Sequence, residues 1–338
     1  MRKLKIVCLM LLLLAHKVSA ESSHIQIHGN TMGTTYSLTL DTADISLSEL
    51  ELQIAVEQEL NKVNNGLSIF RAESEISKLN LNHGRQAIEI SQQLWDVLAI
   101  SKQVSQQTEG ALDITLEPVI EFWGFGVKAR DLKGKNRGQL EYARSKTGMD
   151  GYVLDNGMIV KVIPDLAINP SAVAKGYGVD RVANVLDDLG IANYLVEIGG
   201  ELRAKGVAAD GHFWNIAILR PEKFSMQIQE VVSLNNMAIA TSGSYVNYLE
   251  SGESQLSHII NPNTGMPVNN SVVSATVLHK QCAVADAFAT ALMVLDVERS
   301  LQIADSLGLA VMLIEQTDKG SVTHFSRGIF RYLPNKEP

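Results

Sequence analysis

Val179-Asp180-Arg181-Val182-Ala183-Asn184-Val185-Leu186-Asp187-Asp188-Leu189-Gly190-Ile191-Ala192-Asn193-Tyr194-Leu195-Val196-Glu197-Ile198 is the stretch on which the fold is read. Val179, Val182, Ala183, Leu186 and Leu189 recur at the spacing of one helix face. Gly190 then stops the helix, and Tyr194–Ile198 reads as a strand. Working outward, Ser46-Leu47-Ser48-Glu49 reads as a capping box opening a helix to about Asn64. Leu94, Val97, Leu98 and Ser101 give another helix one buried face, and a further helix is expected from about Ala283 to Leu295. Strands are expected at 34–40, 214–219, 237–240, 272–278 and 310–315. Runs of strands with interspersed helices, rather than strict alternation, predict an α+β domain. The charged segment 128–138 reads as a surface loop.

The 338 residues are 46% hydrophobic and 20% charged, which suits a chain with a sizeable core and excludes disordered or collagen-like classes. The formal charge is −8 and no basic patch stands out, so nucleic acid is not an expected partner. Arg2, Lys3 and Lys5, the apolar run 6–15 and Val18-Ser19-Ala20 have the layout of a secretory signal peptide. The expected organisation is therefore a signal peptide over 1–20 and one domain over 21–338, exported to the periplasm and soluble after cleavage. That mature chain carries 25 basic against 37 acidic residues, a charge of −12, and Cys282 is its sole cysteine. No internal disulfide can form, and a packing role is the better reading of Cys282.

Several familiar sites can be set aside. Gly124-Phe125-Gly126-Val127-Lys128-Ala129 has the outline of a dinucleotide-binding glycine run, but no helical pattern follows it. No G-x-S-x-G, H-E-x-x-H or Walker A run is present. Asn169-Pro170-Ser171-Ala172-Val173-Ala174-Lys175-Gly176 is more informative. A helix starting at Pro170 or Ser171 would offer N–H groups and positive dipole to an anion, and Lys175 would add a full charge. A solvated lysine on an ordinary helix is the competing reading.

Asp286 and Thr290 stand four residues apart, so both oxygens project from one helical face. Carboxylate and hydroxyl together suit a hard cation such as Mg²⁺. The alternative is local, with Asp286 capping the helix and Thr290 bonding its own backbone. Alanines at 283, 285, 287, 289 and 291 surround the pair, so a bulky group is expected to approach it. His258 lies in the turn-rich run Ser257-His258-Ile259-Ile260-Asn261-Pro262 and has the residue type of a general base.

Taken together, these blocks resemble one family, the ApbE-type FAD:protein FMN transferases. The likeness runs in order through nearly all of the mature chain. It begins with Met32-Gly33-Thr34-Thr35-Tyr36, Ser74-Glu75-Ile76-Ser77 and Gly110-Ala111-Leu112-Asp113-Ile114. It continues through Phe122-Trp123-Gly124-Phe125-Gly126, Ser171 to Gly176 and Glu197-Ile198-Gly199-Gly200. Ala240-Thr241-Ser242-Gly243, His258-Ile259-Ile260 and Ala285-Asp286-Ala287 with Thr290 complete it.

The resemblance implies a single α+β catalytic domain related to the T-fold, with a flavin-binding cleft. It implies FAD as substrate, Mg²⁺ as cofactor, and transfer of FMN to a threonine or serine hydroxyl with release of AMP. Acceptors would be flavoproteins such as exported subunits of membrane redox complexes or extracytoplasmic flavin-binding reductases. Met32, Phe70, Ala111, Leu112, Asp113, Asn169, Lys175 and Ile259 would contact FAD. Ala172, through its backbone carbonyl, with Asp286 and Thr290, would hold Mg²⁺. His258 and Lys175 would be the catalytic residues. Asn169, Asn261 and Ser244 stand where the family usually has Asp, and Phe70 where Tyr is frequent. An FAD pyrophosphatase and a non-catalytic flavin-binding protein are the alternatives at the same site.

Overall fold

The computed structural model describes residues 24–41, 47–127, 135–222, 227–244, 248–251 and 254–334. The proposed signal peptide and most of segment 128–138 lie outside them. The framework is one antiparallel sheet of eight strands that are adjacent in chain order. These are β1 (His24–Thr31), β2 (Thr34–Asp41), β3 (Tyr194–Ile198), β4 (Glu201–Lys205), β5 (Met237–Gly243), β6 (Val272–His279), β7 (Ala310–Thr317) and β8 (Gly320–Phe325). The β1–β2 turn holds two residues, Met32 and Gly33, with φ of 50° and 74°. Positive φ at both positions is what a tight hairpin of natural twist requires.

Among the described residues, the excursion between β2 and β3 carries a small three-stranded sheet (Ile88–Glu89, Tyr152–Asp155 and Met158–Lys161) and six helices: α1 (Glu49–Leu67), α2 (Glu75–Leu81), α3 (Gln92–Gln107), α4 (Glu117–Trp123), α5 (Arg137–Arg144) and α6 (Ser171–Asp188). Two more, α7 (Cys282–Leu292) and α8 (Val297–Leu307), connect β6 to β7. α1 begins with a true capping box, but it is Ser48 with Glu51, two residues later than the sequence suggests. Glu51 reaches back to the Ser48 N–H at 2.9 Å, which Glu49 at the first helical position cannot do. Segment 128–138 is likewise not loop throughout, since α5 starts at Arg137 under an Asn136–Gln139 capping box.

The stripe on α6 is buried as its spacing requires except at Leu189, which follows the last helical residue as its C-cap and is exposed. Val179, Val182, Ala183 and Leu186 pack with Leu38, Leu40 and Val196 of the sheet and Leu52 and Val56 of α1. The opposite sheet face is covered by the hairpin of Trp214–Leu219 with Ile228–Leu234 and by the C-terminal turn Arg327–Tyr332. Buried side chains of this size contribute roughly 1.5–3 kcal/mol each, so the helical excursion is held to the sheet by α1 and α6. The single α+β unit agrees with the sequence reading. Among the described residues, no helix is long and apolar enough to cross a membrane.

α6 and α7 cross closely because the crossing point is Gly176. A Cβ there would lie 2.4 Å from the Cys282 carbonyl oxygen. Each helix also satisfies a backbone donor of the other. Asp180 of α6 accepts the Ala283 N–H at 3.0 Å, so it serves as the N-terminal cap of α7 that Gln281 does not provide. Asp286 of α7 accepts the Gly176 N–H at 3.0 Å. The alanines of α7 are all buried against neighbouring elements. Their small size permits this close packing; it does not leave room for a ligand.

Candidate active site

The α6–α7 crossing forms the floor of a cleft of about 790 Å³. Phe70, Ala111, Leu112, Asp113, Asn169, Ala172, Lys175, His258, Ile259, Asp286 and Thr290 all line it. Residues from five separate stretches of sequence are thus brought to one cavity. Met32 is not among them. It lines a smaller cavity of about 350 Å³ beside Asn64 and Arg71, and its side chain packs over Gly178 of α6.

The walls differ in chemistry. Ile69, Leu112, Ile114, Leu116, Ile120 and Ile259 give an apolar side. Phe70 stands at the rim, 70% exposed. Asp113 is tied down from within, accepting the Thr115 N–H at 2.7 Å and its hydroxyl at 2.5 Å. Burial raises its pKa, against the pull of those two bonds.

The polar side centres on Lys175. Its ammonium lies 2.5 Å from Glu201 Oε1 and 3.9 Å from Asp286 Oδ1. Burial alone would depress the lysine, but the charges of Asp286 and Glu201 win and hold it protonated well above its ordinary range. Glu201 is pushed up to about 8 by burial and by Asp286, with Lys175 opposing. Asp286, fully buried, is also raised by burial, with Lys175 and the Gly176 N–H pulling the other way.

Glu201 escaped the sequence reading, although it directly follows the quoted Gly199-Gly200 pair. Those glycines turn the chain from β3 to β4 with φ of 58° and 100° and bring Glu201 beneath Lys175. Its Oε2 is buried and has no hydrogen-bond partner among the described residues. The lysine therefore does not present an uncompensated charge at a helix start. It sits one turn into α6, shared between two carboxylates.

Neither local alternative for Asp286 and Thr290 describes them. Asp286 is one turn into α7 and reaches across to α6, while the Thr290 hydroxyl meets Ser242 Oγ of β5 at 3.2 Å. The Gly176 N–H, whose partner in a regular helix is the Ala172 carbonyl, also donates to Asp286 at 3.0 Å. Asp286, Thr290 and Ala172 thus form a set of hard oxygen donors, with the buried Glu201 Oε2 close by. That chemistry fits Mg²⁺, which keeps several waters or phosphate oxygens as its other ligands. Among the described residues no cluster of three or more His, Cys, Asp or Glu side chains forms a metal cage.

His258 lines the same cleft from the loop after Ser257, half-buried, with the Phe125 ring edge-on at 6.4 Å between centroids. The loop is set by Asn261, whose Oδ1 accepts the N–H groups of Asn263 at 2.9 Å and Thr264 at 3.3 Å. An amide oxygen performs that turn-capping as well as a carboxylate does, so the asparagine at 261 keeps the loop. Asn169 works similarly at the start of α6, its Oδ1 accepting the Ser171 N–H at 3.0 Å. Ser244 pairs through its backbone with Val273, so its side chain is not needed to hold the strand end.

A model of the ApbE family matches residues 32–313. An FAD:protein FMN transferase of Vibrio cholerae is 39% identical, covering 97% of this chain and 98% of that protein. One from Haemophilus influenzae is 38% identical over 94% of each. Among solved structures, the flavin transferase ApbE of Vibrio cholerae superposes with a TM-score of 0.86 at 38% identity, covering 92% of this chain and 99% of that one. The flavinyl transferase ApbE of Pseudomonas stutzeri, in its apo form, gives a TM-score of 0.86 at 31% identity, covering 93% and 98%.

Proposed function

The chain belongs to the ApbE family, and on that premise we propose that it is an FAD:protein FMN transferase working in the 790 Å³ cleft. The observation that carries this reading is the meeting of Lys175, Asp286, Thr290 and His258 in one cavity that several apolar side chains also line. The apolar wall and Phe70 suit the flavin rings, and the start of α6 suits the pyrophosphate.

In the proposed reaction an acceptor threonine or serine hydroxyl attacks the phosphorus on the FMN side of the pyrophosphate. The bond from that phosphorus to the bridging oxygen breaks, and AMP departs with the oxygen. A ring nitrogen of His258 takes the hydroxyl proton. Lys175, fixed between Glu201 and Asp286, would stabilise the negative charge that grows on the phosphate oxygens. Asp286, Thr290 and the Ala172 carbonyl would hold Mg²⁺, which supplies Lewis-acid stabilisation of that charge. The acceptors would be exported flavoproteins such as subunits of membrane redox complexes or extracytoplasmic reductases, met after removal of residues 1–20.

The test is incubation of the 21–338 chain with FAD, Mg²⁺ and an acceptor flavoprotein. Flavin fluorescence on the denatured acceptor, with stoichiometric AMP, supports the transferase. AMP and free FMN without labelling would mean a pyrophosphatase, and intact bound FAD a flavin-binding protein. N-terminal sequencing of the exported chain checks cleavage, and any start other than Glu21 overturns that part.

A further inference from the structure

We propose that Glu117 is a positioning residue for the transfer, holding Asn169 on one wall of the cleft and the Phe125-bearing turn on the other. The proposal rests on the transferase reading. Glu117 opens α4 and is 8% exposed, and neither the mechanism nor the sequence motifs give it a task. Its Oε2 accepts the Asn169 Nδ2–H at 2.6 Å.

That bond decides which way Asn169 faces. The Ser171 N–H at the head of α6 needs an acceptor, so it takes the Asn169 oxygen, and the Asn169 nitrogen turns to an oxygen of Glu117 that accepts from it. Asn169 is further pinned through its own N–H to the Ile114 carbonyl at 2.7 Å. Ala172 and Lys175 follow within the first two turns of the same helix.

The other side of the carboxylate receives the turn after α4. The Val127 N–H bonds to it, and a Cβ on Gly126 would lie 2.4 Å from Glu121 Cγ and 3.1 Å from Glu117 Oε1, so glycine lets the turn close over both side chains. Phe125, in that turn, is the ring set edge-on to His258. One buried carboxylate thereby connects the phosphate-binding helix start with the aromatic neighbour of the proposed base. Burial raises its pKa, and Glu121 on the same helix raises it further, while the two accepted bonds oppose them.

The test reverses the polarity of the pair. Wild type, Glu117→Gln, Asn169→Asp and the double variant are compared by flavin-fluorescence titration of FAD, single-turnover transfer and thermal midpoint. Assayed at about pH 8, where Glu117 is ionised, Asn169→Asp sets two acceptors face to face and should weaken FAD binding about tenfold or more, the scale of a lost charge-assisted hydrogen bond. Adding Glu117→Gln restores a donor, and affinity and rate should return to within about threefold of wild type. A space-filling Glu117 predicts no such rescue. If the double variant matches Asn169→Asp alone, or Asn169→Asp matches wild type, the proposal falls. Should Asn169→Asp not fold, the double variant decides, since a folded chain with near wild-type affinity supports the pair and any other result overturns it. A wild type that neither binds FAD nor labels an acceptor overturns the transferase reading and this one together. Working wild type with four indistinguishable proteins overturns this one only.

Discussion

Asp286 of α7 accepts the backbone N–H of Gly176 in α6 at 3.0 Å, at the point where the two helices touch. The relationship joins packing to chemistry, because the same carboxylate faces the cleft and lies 3.9 Å from the Lys175 ammonium. It also sets a strict size limit, since a Cβ on Gly176 would meet the Cys282 carbonyl at 2.4 Å. The obstacle is backbone and cannot swing aside. Gly176→Ala should therefore lower stability by roughly 1–3 kcal/mol, the cost of forcing an overpacked contact, despite alanine's better helix propensity. Chemical denaturation reads the change, and an unchanged or raised midpoint would show that the crossing has slack.

Two substitutions at Asp286 separate its structural bond from its charge. Asp286→Asn keeps an oxygen to accept the Gly176 N–H, whereas Asp286→Ala leaves that donor unpaired. Asp286→Ala should cost about 1–3 kcal/mol of stability beyond Asp286→Asn. Both should lose Mg²⁺-dependent turnover, because a neutral amide is a poor ligand for a hard cation. Unfolding free energies and turnover across a Mg²⁺ titration check both halves. Asp286→Asn retaining wild-type turnover would remove the carboxylate from the metal site.

The site was legible wherever a motif is local. Asp286 with Thr290, Ser171 to Lys175, and His258 with Ile259 each sit on one short segment, and the structure gathers all three at one cleft. The strands Tyr194–Ile198 and Trp214–Leu219 were equally plain, their apolar residues marking buried positions. Glu201 and Glu117 were not legible. Each is a lone carboxylate whose meaning comes from a partner far along the chain, Lys175 for one and Asn169 for the other. Met32 stands apart from the cleft. Its motif is evident, but a hairpin turn at positive φ directs it to the neighbouring cavity. The alanines of α7 were misread because small residues look the same in sequence whether they admit a ligand or a helix.

Base and charge-holder should separate kinetically. His258→Ala removes the proposed proton acceptor and should slow single-turnover transfer by about 10²–10⁴-fold while leaving FAD affinity nearly unchanged. Lys175→Ala removes a binder that acts before and during the reaction, so FAD affinity should fall and the rate with it. It also strips Glu201 of its counter-charge and leaves two buried carboxylates near each other. Lys175→Ala should therefore be the less stable of the two as well. FAD titration followed by transfer at saturating FAD tests the split, and wild-type transfer by His258→Ala would deny the histidine its role.

Glu117 makes a further prediction that needs no ligand. Burial, reinforced by Glu121 and opposed by the Asn169 amide and the Val127 N–H, pushes its carboxyl up to about 7. In the unfolded chain the same group titrates near 4.5. Between those values the folded state binds the proton that the unfolded state has released. Stability contributed by the protonated form is complete below the unfolded value, falls as pH rises through the folded one, and is absent above it. The groups facing this carboxyl are a neutral amide from the Asn169 side and a backbone N–H from the turn, so the helix's own Glu121 is the charged neighbour to consider. Glu117→Gln cannot titrate, so moving from pH 5 to pH 8 should favour the variant over wild type by on the order of 1–3 kcal/mol. Urea unfolding of both proteins at the two pH values measures it directly. A difference that stays constant, or that shifts toward wild type at high pH, would mean the carboxylate is already ionised at pH 5 and is well solvated in the fold.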